Sequence, residues 1–295
     1  MLPSENFPPV IFLLGPTASG KSQIALDIAE NFPVEIISVD SAQVYRYMDI
    51  GTAKPEPETL ARTPHHLINL IDPDQSYSAA KFRQDALKIM NEISQRNKIP
   101  LLVGGTMLYF RALQDGLSVL PSANKELRQG LEEMAKKVGW PAMHHKLSEI
   151  DKETAIRIKP TDSQRIQRAL EVCYLTKQPM SSILQSRHQA DFPFQVIRIA
   201  LLPSDRSELH QRIAKRFETM LNRGLIDEVQ LIRQQFPDLN IESPSMRCVG
   251  YRQACLYLDN VIDNKALLDM GIAATRQLAK RQLTWFRNMR TTDKL

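Results

Sequence analysis

Gly15-Pro16-Thr17-Ala18-Ser19-Gly20-Lys21-Ser22 decides the fold of this chain of 295 residues. It matches G-x-x-x-x-G-K-[ST], a glycine-rich loop whose backbone N–H groups cradle phosphates. Immediately before it, Val10–Leu14 (VIFLL) is continuous, apolar and branched, the pattern of a strand buried on both faces. Immediately after it, Ile24, Ala25, Ile28 and Ala29 recur at helical spacing across Ser22–Asn31. The loop therefore joins a strand to a helix, the context in which this motif holds an anion.

Working outward, Val34–Val39 (VEIISV) is a second buried strand and ends at Asp40. A helical stretch, Ala79–Gln95, leads to a third strand, Ile99–Val103 (IPLLV), which ends in Gly104-Gly105-Thr106. This alternation predicts an α/β fold, a P-loop NTPase-like parallel sheet flanked by helices. Ligands of such sheets lie beyond the carboxyl ends of the strands, where Gly15–Ser22, Asp40 and Thr106 all fall.

From Pro121 the texture changes. Residues 122–189 carry charge-rich helical patterns and are expected to form an inserted all-α domain. Phe194–Leu202 (FQVIRIALL) brings the chain back to the sheet, and the region from Ser204 is mostly helical, punctuated by Gly224 and Pro237. The expected division is a core of residues 8–121 and 190–295, with a helical C-terminal part, and an insertion of 122–189. Ile226–Phe236 is amphipathic and expected to pack internally. Neither repeats nor low-complexity segments occur.

Composition bounds the function classes. Hydrophobic residues make up 43% and charged residues 24%, an ordinary soluble globular balance. Lys and Arg total 38 against 33 Asp and Glu, a net charge of +5 that suits a polyanionic partner. Basic residues concentrate at Arg276, Lys280, Arg281, Arg287 and Arg290, with no acid among them. Cys173, Cys248 and Cys255 form no C-x-x-C pair, so neither a zinc site nor a disulfide framework is indicated. The adjacent pairs His65-His66 and His144-His145 lack the spacing of helical metal ligands. No apolar run is long enough to span a membrane and no secretory signal opens the chain, so a cytoplasmic protein is expected.

The motifs carry chemistry. Lys21 offers a point charge to phosphate oxygens, and the Ser22 hydroxyl is placed to bind Mg²⁺. A phosphoryl-transferring enzyme with this loop wants an acid at a nearby strand end, yet IPLLV ends in Gly-Gly-Thr. Asp40 is either a general base or a metal-shell or capping carboxylate. Thr106 either donates to a leaving oxygen or caps a loop. Thr161 and Gln164 stand at capping-box spacing before a helix whose Arg165 and Arg168 share a face. Lys280–Arg287 interleaves basic residues with Trp285 and Phe286, either for RNA phosphates and splayed bases or as a solvated basic face with both aromatics in the core, and Arg247–Arg252 sets arginines around a glycine. Beside a phosphate loop, three such basic elements point to a nucleic-acid substrate.

GPTASGKS, DSAQVYRYMDIGTAKP, PHHLINLIDP, LLVGGTMLYFRAL, DSQRIQRALEV, RCVGYRQ and KRQLTWFR, in this order, resemble the bacterial tRNA dimethylallyltransferase family, also called tRNA isopentenyltransferases. The matches run from residue 11 to about 287. The resemblance implies transfer of a dimethylallyl group from dimethylallyl diphosphate to the exocyclic amine of the adenosine 3′ of the anticodon, in tRNAs reading codons that begin with U. Gly15 to Ser22 would then hold the donor's diphosphate with Mg²⁺, Asp40 would take the amine's proton, and Thr106 would bond near the bridging oxygen. By the same resemblance, tRNA would run along Asp40-Ser41-Ala42-Gln43, Gln164-Arg165-Ile166-Gln167-Arg168, Arg247-Cys248-Val249-Gly250-Tyr251-Arg252 and Lys280-Arg281-Gln282-Leu283-Thr284-Trp285-Phe286-Arg287, with Arg128 joining them. The insertion would grip the anticodon stem. The zinc finger of some eukaryotic relatives is not expected here, and a monomer is. Rival readings of the same residues are prenylation of free adenine nucleotides, a nucleotide kinase or ATPase, and a non-catalytic RNA-binding protein that keeps the loop.

Overall fold

The computed structural model describes residues 7–118, 120–185 and 191–292, with side chains as far as Arg287. In chain order the elements are β1 (Pro9–Leu14), α1 (Lys21–Asn31), β2 (Val34–Val39), α2 (Pro57–Arg62), β3 (His65–His66), α3 (Ala79–Gln95), β4 (Ile99–Gly104) and α4 (Met107–Asp115). There follow α5 (Lys125–Val138), α6 (Trp140–Ile150), α7 (Lys152–Arg157), α8 (Ser163–Thr176), α9 (Met180–Gln185), β5 (Gln195–Ala200), α10 (Arg206–Asn222), α11 (Leu225–Gln235), α12 (Tyr251–Leu258) and α13 (Asn264–Thr292). Contacts divide the chain into one unit of Met1–Gln114 with Phe192–Leu295 and another of Asp115–Asp191.

In the first unit the strands form one parallel sheet in the order β3-β2-β4-β1-β5. Leu14 of β1 and Val39 of β2 both register with Gly104 of β4, so these strands end level. The phosphate loop, Asp40 and Gly105-Thr106 therefore leave the sheet side by side. Alternation along each strand sorts side chains between the two faces. Leu13, Ile36 and Leu101 bury against Ala25 of α1. Phe12, Ile37 and Leu102 bury on the opposite face with Phe82 and Met90 of α3 and Phe110 of α4. Phe12 and Phe110 stand with ring centroids 5.0 Å apart. A separate core joins Val44, Tyr45 and Met48 to Phe217, Val229, Ile232 and Tyr251, which ties the segment after Asp40 to α10, α11 and α12. Val229 and Ile232 make α11 pack internally, as its pattern indicates, while Leu231 stays exposed.

The second unit packs α5, α6 and α8 around Leu131, Leu147, Ile166 and Leu170. Glu171 has no exposed surface. It accepts from the Asn124 backbone at 2.8 Å, from Arg128 at 2.8 and 3.0 Å, and from Arg168 at 2.5 Å. Burial pushes its carboxyl up, but the two guanidiniums outweigh that and hold it below its ordinary value.

Two expectations differ from the structure in detail, and one strand was not expected. The cap of α8 is Asp162, which accepts from the Arg165 backbone at 3.2 Å, and not Thr161. β5 is shorter than Phe194–Leu202, because only Pro9–Leu14 of β1 is available to pair with it. β3 went unforeseen, since its two histidines carry no apolar pattern; it pairs through Ile36↔His65 and Ile37↔His66.

Candidate active site

The phosphate loop is shaped by close approach and by left-handed backbone. A Cβ on Gly15 would lie 2.6 Å from Ser19 Oγ and 3.1 Å from the Leu201 carbonyl oxygen. Ala18 at φ 61° and Gly20 at φ 86° turn the chain before α1 begins. Lys21 Nζ donates to the Pro16 carbonyl at 3.1 Å. Burial lowers the Lys21 ammonium to about 8, against the opposing attraction of Asp40 and with repulsion from Arg216 adding to the shift. Lys21 as a whole is half-buried, with its ammonium tied to the loop backbone. The Ser19 hydroxyl is buried with no partner.

Asp40 and Thr106 face each other across the ends of β2 and β4. Asp40 Oδ1 accepts from the Ala42 backbone at 2.8 Å. Thr106 Oγ1 accepts from the Ser41 backbone at 3.0 Å, and the Thr106 N–H donates to the Val39 carbonyl at 3.2 Å. Both residues thus make the local capping bonds, and both also line the same cavity. Gln43 turns away from it: its Oε1 accepts from Ser38 Oγ at 2.8 Å and its Nε2 donates to the Thr52 carbonyl at 3.4 Å.

Two adjoining cavities occupy this end of the sheet. The smaller, about 100 Å³, is lined by Lys21, Ser22, Asp40, Thr52 and Arg216. The larger, about 470 Å³, shares Asp40, Thr52 and Arg216 and extends past Phe217 and Met220 to Arg247, Cys248, Arg281 and Trp285. One chamber is polar and small, while the other combines apolar wall with basic rim. The Ser22 hydroxyl and the Asp40 carboxylate in this chamber are hard oxygen donors of the kind Mg²⁺ takes. The Lys21 ammonium and the Arg216 guanidinium, which line the same chamber, suit an anion beside it, so the residues fit the pair. Among the described residues no cluster of three His, Cys, Asp or Glu side chains forms a metal cage of its own.

Arg216 is a site residue that the motifs do not reveal. It lies on α10 between Ile213 and Phe217, and both of these are buried. An arginine on the inward stripe of an amphipathic helix is the signal that could have found it. Burial lowers its pKa and Asp40 opposes that. Glu228 of α11 is another. It accepts from the backbone N–H groups of Asp49, Ile50 and Gly51 at 3.0, 2.7 and 3.3 Å, and from the Tyr251 hydroxyl at 2.5 Å. This clamps the turn that carries Gly51 and Thr52 into the cavity wall.

The segments expected along RNA are divided by helical periodicity. Arg247 and Arg281 line the larger cavity, and Cys248 and Val249 lie beside them. The Cys248 thiol is pushed up to about 12 by burial and by Asp40, so it is protonated and unreactive. Gly250 is buried at φ 94° and caps α12. Arg252 pairs with Glu242 at 3.4 Å. Tyr251 has no exposed surface, and Phe286 has 4%. Their rings belong to the core, which corrects the expectation that they face RNA. Gln282 is also buried; its Oε1 accepts from the Thr17 N–H at 2.8 Å and its Nε2 donates to the Gly105 carbonyl at 2.9 Å. Leu283 packs against the sheet core. Lys280, Arg281, Thr284 and Arg287 are exposed, and Trp285 sits 5.9 Å beneath the Arg111 guanidinium.

In the second unit Gln164 and Arg165 are exposed, while Ile166 is core and is likewise corrected. Gln167 donates to the Arg128 carbonyl and to Glu132, at 3.1 and 3.0 Å. Arg128 and Arg168 spend their best donors on Glu171.

The model of the IPP transferase family matches residues 43–289. A tRNA dimethylallyltransferase of Nitrosomonas europaea is 64% identical over 287 residues, covering 97% of this chain and 90% of that protein. One of Nitrosospira multiformis is 63% identical over 286 residues, covering 97% and 88%. Among solved structures, the full-length tRNA isopentenylpyrophosphate transferase of Bacillus halodurans superposes with a TM-score of 0.67 at 36% identity, covering 95% of this chain and 87% of the other. A eukaryotic dimethylallyltransferase caught acting on tRNA superposes with a TM-score of 0.78 at 26% identity, covering 94% and 69%.

Proposed function

The chain belongs to the IPP transferase family, prenyl-transferring enzymes of tRNA, and from that premise we propose how its own residues carry out the transfer. The donor is dimethylallyl diphosphate, and the acceptor is the exocyclic amine of the adenosine 3′ of the anticodon. The observation that carries this reading is the pair of adjoining cavities: a small polar chamber at the phosphate loop shares Asp40, Thr52 and Arg216 with a larger one rimmed by Arg247 and Arg281.

The diphosphate occupies the small chamber, where the loop amides, Lys21 and Arg216 bind it. When bound, Mg²⁺ held by Ser22 would add positive charge against the departing oxygens, leaving the Asp40 carboxylate free to act as base. The dimethylallyl tail lies toward Phe217 and Met220. Adenine enters from the larger chamber after leaving its stack in the anticodon loop. The amine nitrogen forms a bond to the allylic carbon as the carbon–oxygen bond breaks, and that bond's electron pair leaves on the diphosphate. Lys21 and Arg216 stabilise that charge as it grows, which is where stabilisation lowers the barrier. Thr106 accepts from the Ser41 N–H, keeping the Asp40 turn in place, and its hydroxyl, which donates weakly to Ser41 Oγ at 3.4 Å, would turn to the bridging oxygen of the bound donor. Asp40 accepts the amine proton. The reading carries with it a monomeric enzyme working on tRNA in the cytoplasm.

The test incubates the protein with Mg²⁺, labelled dimethylallyl diphosphate and unmodified tRNA, with AMP and ATP in parallel. Label on tRNA alone supports the reading. Label on AMP, or phosphate released from ATP, overturns it. In the same assay Asp40→Ala is expected to remain folded and bind tRNA but to lose roughly 10²–10⁴-fold in transfer, the scale of a general base.

A further inference from the structure

We propose that Gln282, which lines both chambers, is a positioning residue that sets the phosphate loop against the Thr106 turn rather than one that reads the RNA. The inference rests on the reading of the loop as the donor's diphosphate site. Gln282 lies within the basic, aromatic stretch Lys280–Arg287, yet α13 periodicity splits that stretch. Lys280, Arg281, Thr284 and Arg287 point to solvent, while Gln282 and Phe286, one helical turn apart, point inward.

Inward, Gln282 meets one donor and one acceptor. The Thr17 N–H lies in the phosphate loop, and the Gly105 carbonyl precedes Thr106. Only one orientation of the amide satisfies both, with oxygen toward Thr17 and nitrogen toward Gly105. A single side chain thus spans the phosphate loop and the turn that carries Thr106. No other residue type supplies both a donor and an acceptor at this reach: Asn is a methylene shorter, Glu lacks the donor and Lys the acceptor. The fit is tight from the other side too. A Cβ on Gly105 would lie 2.3 Å from Gln282 Nε2, so glycine at 105 leaves room for this amide.

The bond also fixes which loop amides remain for the ligand. With its N–H held by Gln282, Thr17 is anchored on the protein side, and the turn through Ala18 and Gly20 is suspended from it. Loss of the bridge leaves a half-buried N–H and a buried carbonyl without partners, and the loop relaxes to re-pair them.

The experiment uses the full chain with Gln282→Ala and Gly105→Ala, singly and together. It measures binding of inorganic diphosphate with Mg²⁺, binding of an anticodon stem–loop RNA, and thermal melting. Each single variant is expected to bind diphosphate roughly tenfold more weakly, the scale of two lost neutral hydrogen bonds, while RNA affinity stays within about twofold. The double variant is expected to be no worse than the weaker single, because Gln282→Ala vacates the space that the methyl introduced by Gly105→Ala enters. Unchanged diphosphate affinity in both singles, losses that multiply in the double, or an RNA affinity that falls as far as the diphosphate affinity overturns the proposal. If Gln282→Ala does not fold, Gly105→Ala decides alone by the same two affinities. If the wild-type chain binds the RNA but no diphosphate, the donor-site reading has failed, and this inference falls with it.

Discussion

Lys21 is where pH reaches the chemistry first. Burial sets its ammonium near 8, so free enzyme loses this charge as pH rises through about 8. Because kcat/KM reports groups of the free enzyme, kcat/KM for the donor is expected to fall across that range. kcat holds to higher pH, since bound diphosphate favours the charged form. A kcat/KM profile that stays flat from pH 7 to pH 9 would sink the assignment. At Gly15 the constraint is spatial. One neighbour of the missing Cβ is backbone, the Leu201 carbonyl, and backbone yields little. Gly15→Ala is therefore expected to give a folded protein whose diphosphate affinity, measured by calorimetry, falls by tenfold or more, about 1.4 kcal/mol.

At the scale of elements, the clamp made by Glu228 connects α11 and α12 to the cavity wall. Glu228→Ala leaves the amides of Asp49, Ile50 and Gly51 without their acceptor, at a cost of about 2–4 kcal/mol. Tyr251→Phe removes only the hydroxyl's bond, at about 1 kcal/mol. Chemical denaturation is expected to rank the variants in that order, and equal losses would mean the carboxylate is not the clamp. Another device ties β2, β3 and α3 together, where Glu35 meets Arg96 at 2.7 Å, His66 at 2.8 Å and Lys98 at 3.2 Å. The hydrogen bond from Arg96, more than any other cause, holds the Glu35 carboxyl down to about 2. Its folded pKa is depressed, so its stabilisation is complete above the unfolded value of 4.5 and fades as pH falls toward 2. The linkage amounts to at most about 3 kcal/mol, less in salt because Arg96 and Lys98 are half-exposed. Glu35→Gln should flatten the acid limb of a melting curve taken from pH 5 to pH 2.5.

Across the whole molecule, what was legible in the sequence was local. Val10–Leu14, Val34–Val39 and Ile99–Val103 announce themselves because a parallel strand buried on both faces needs unbroken apolar residues. The loop motif, Asp40 and Thr106 follow from them, since level strand ends bring their turns together. Arg216, Glu228 and the inward turn of Gln282 were not legible. Each owes its role to a partner far along the chain, as with Gln282 and Thr17 at a separation of 265 residues. Helical phase within Lys280–Arg287 could have separated Gln282 and Phe286 from their neighbours, but only once α13 was known to pack by that face. The second unit shows the same limit: Arg128 and Arg168 read as free basic residues until Glu171 is seen buried between them.

The pairing of β5 with β1 matches Val10 to Val196, and the Thr17–Gln282 bond closes later still. On the ribosome this is a matter of timing. The phosphate-loop strand emerges among the first segments but keeps an open edge until residues 195–200 arrive, after the whole second unit has been made. Long-range parallel pairing of this kind is slow, and an unpaired strand edge invites other chains. Nascent chains paused before β5 should therefore be the aggregation-prone species. The catalytic pocket, begun by the seventeenth residue, is finished only when α13 is threaded into place.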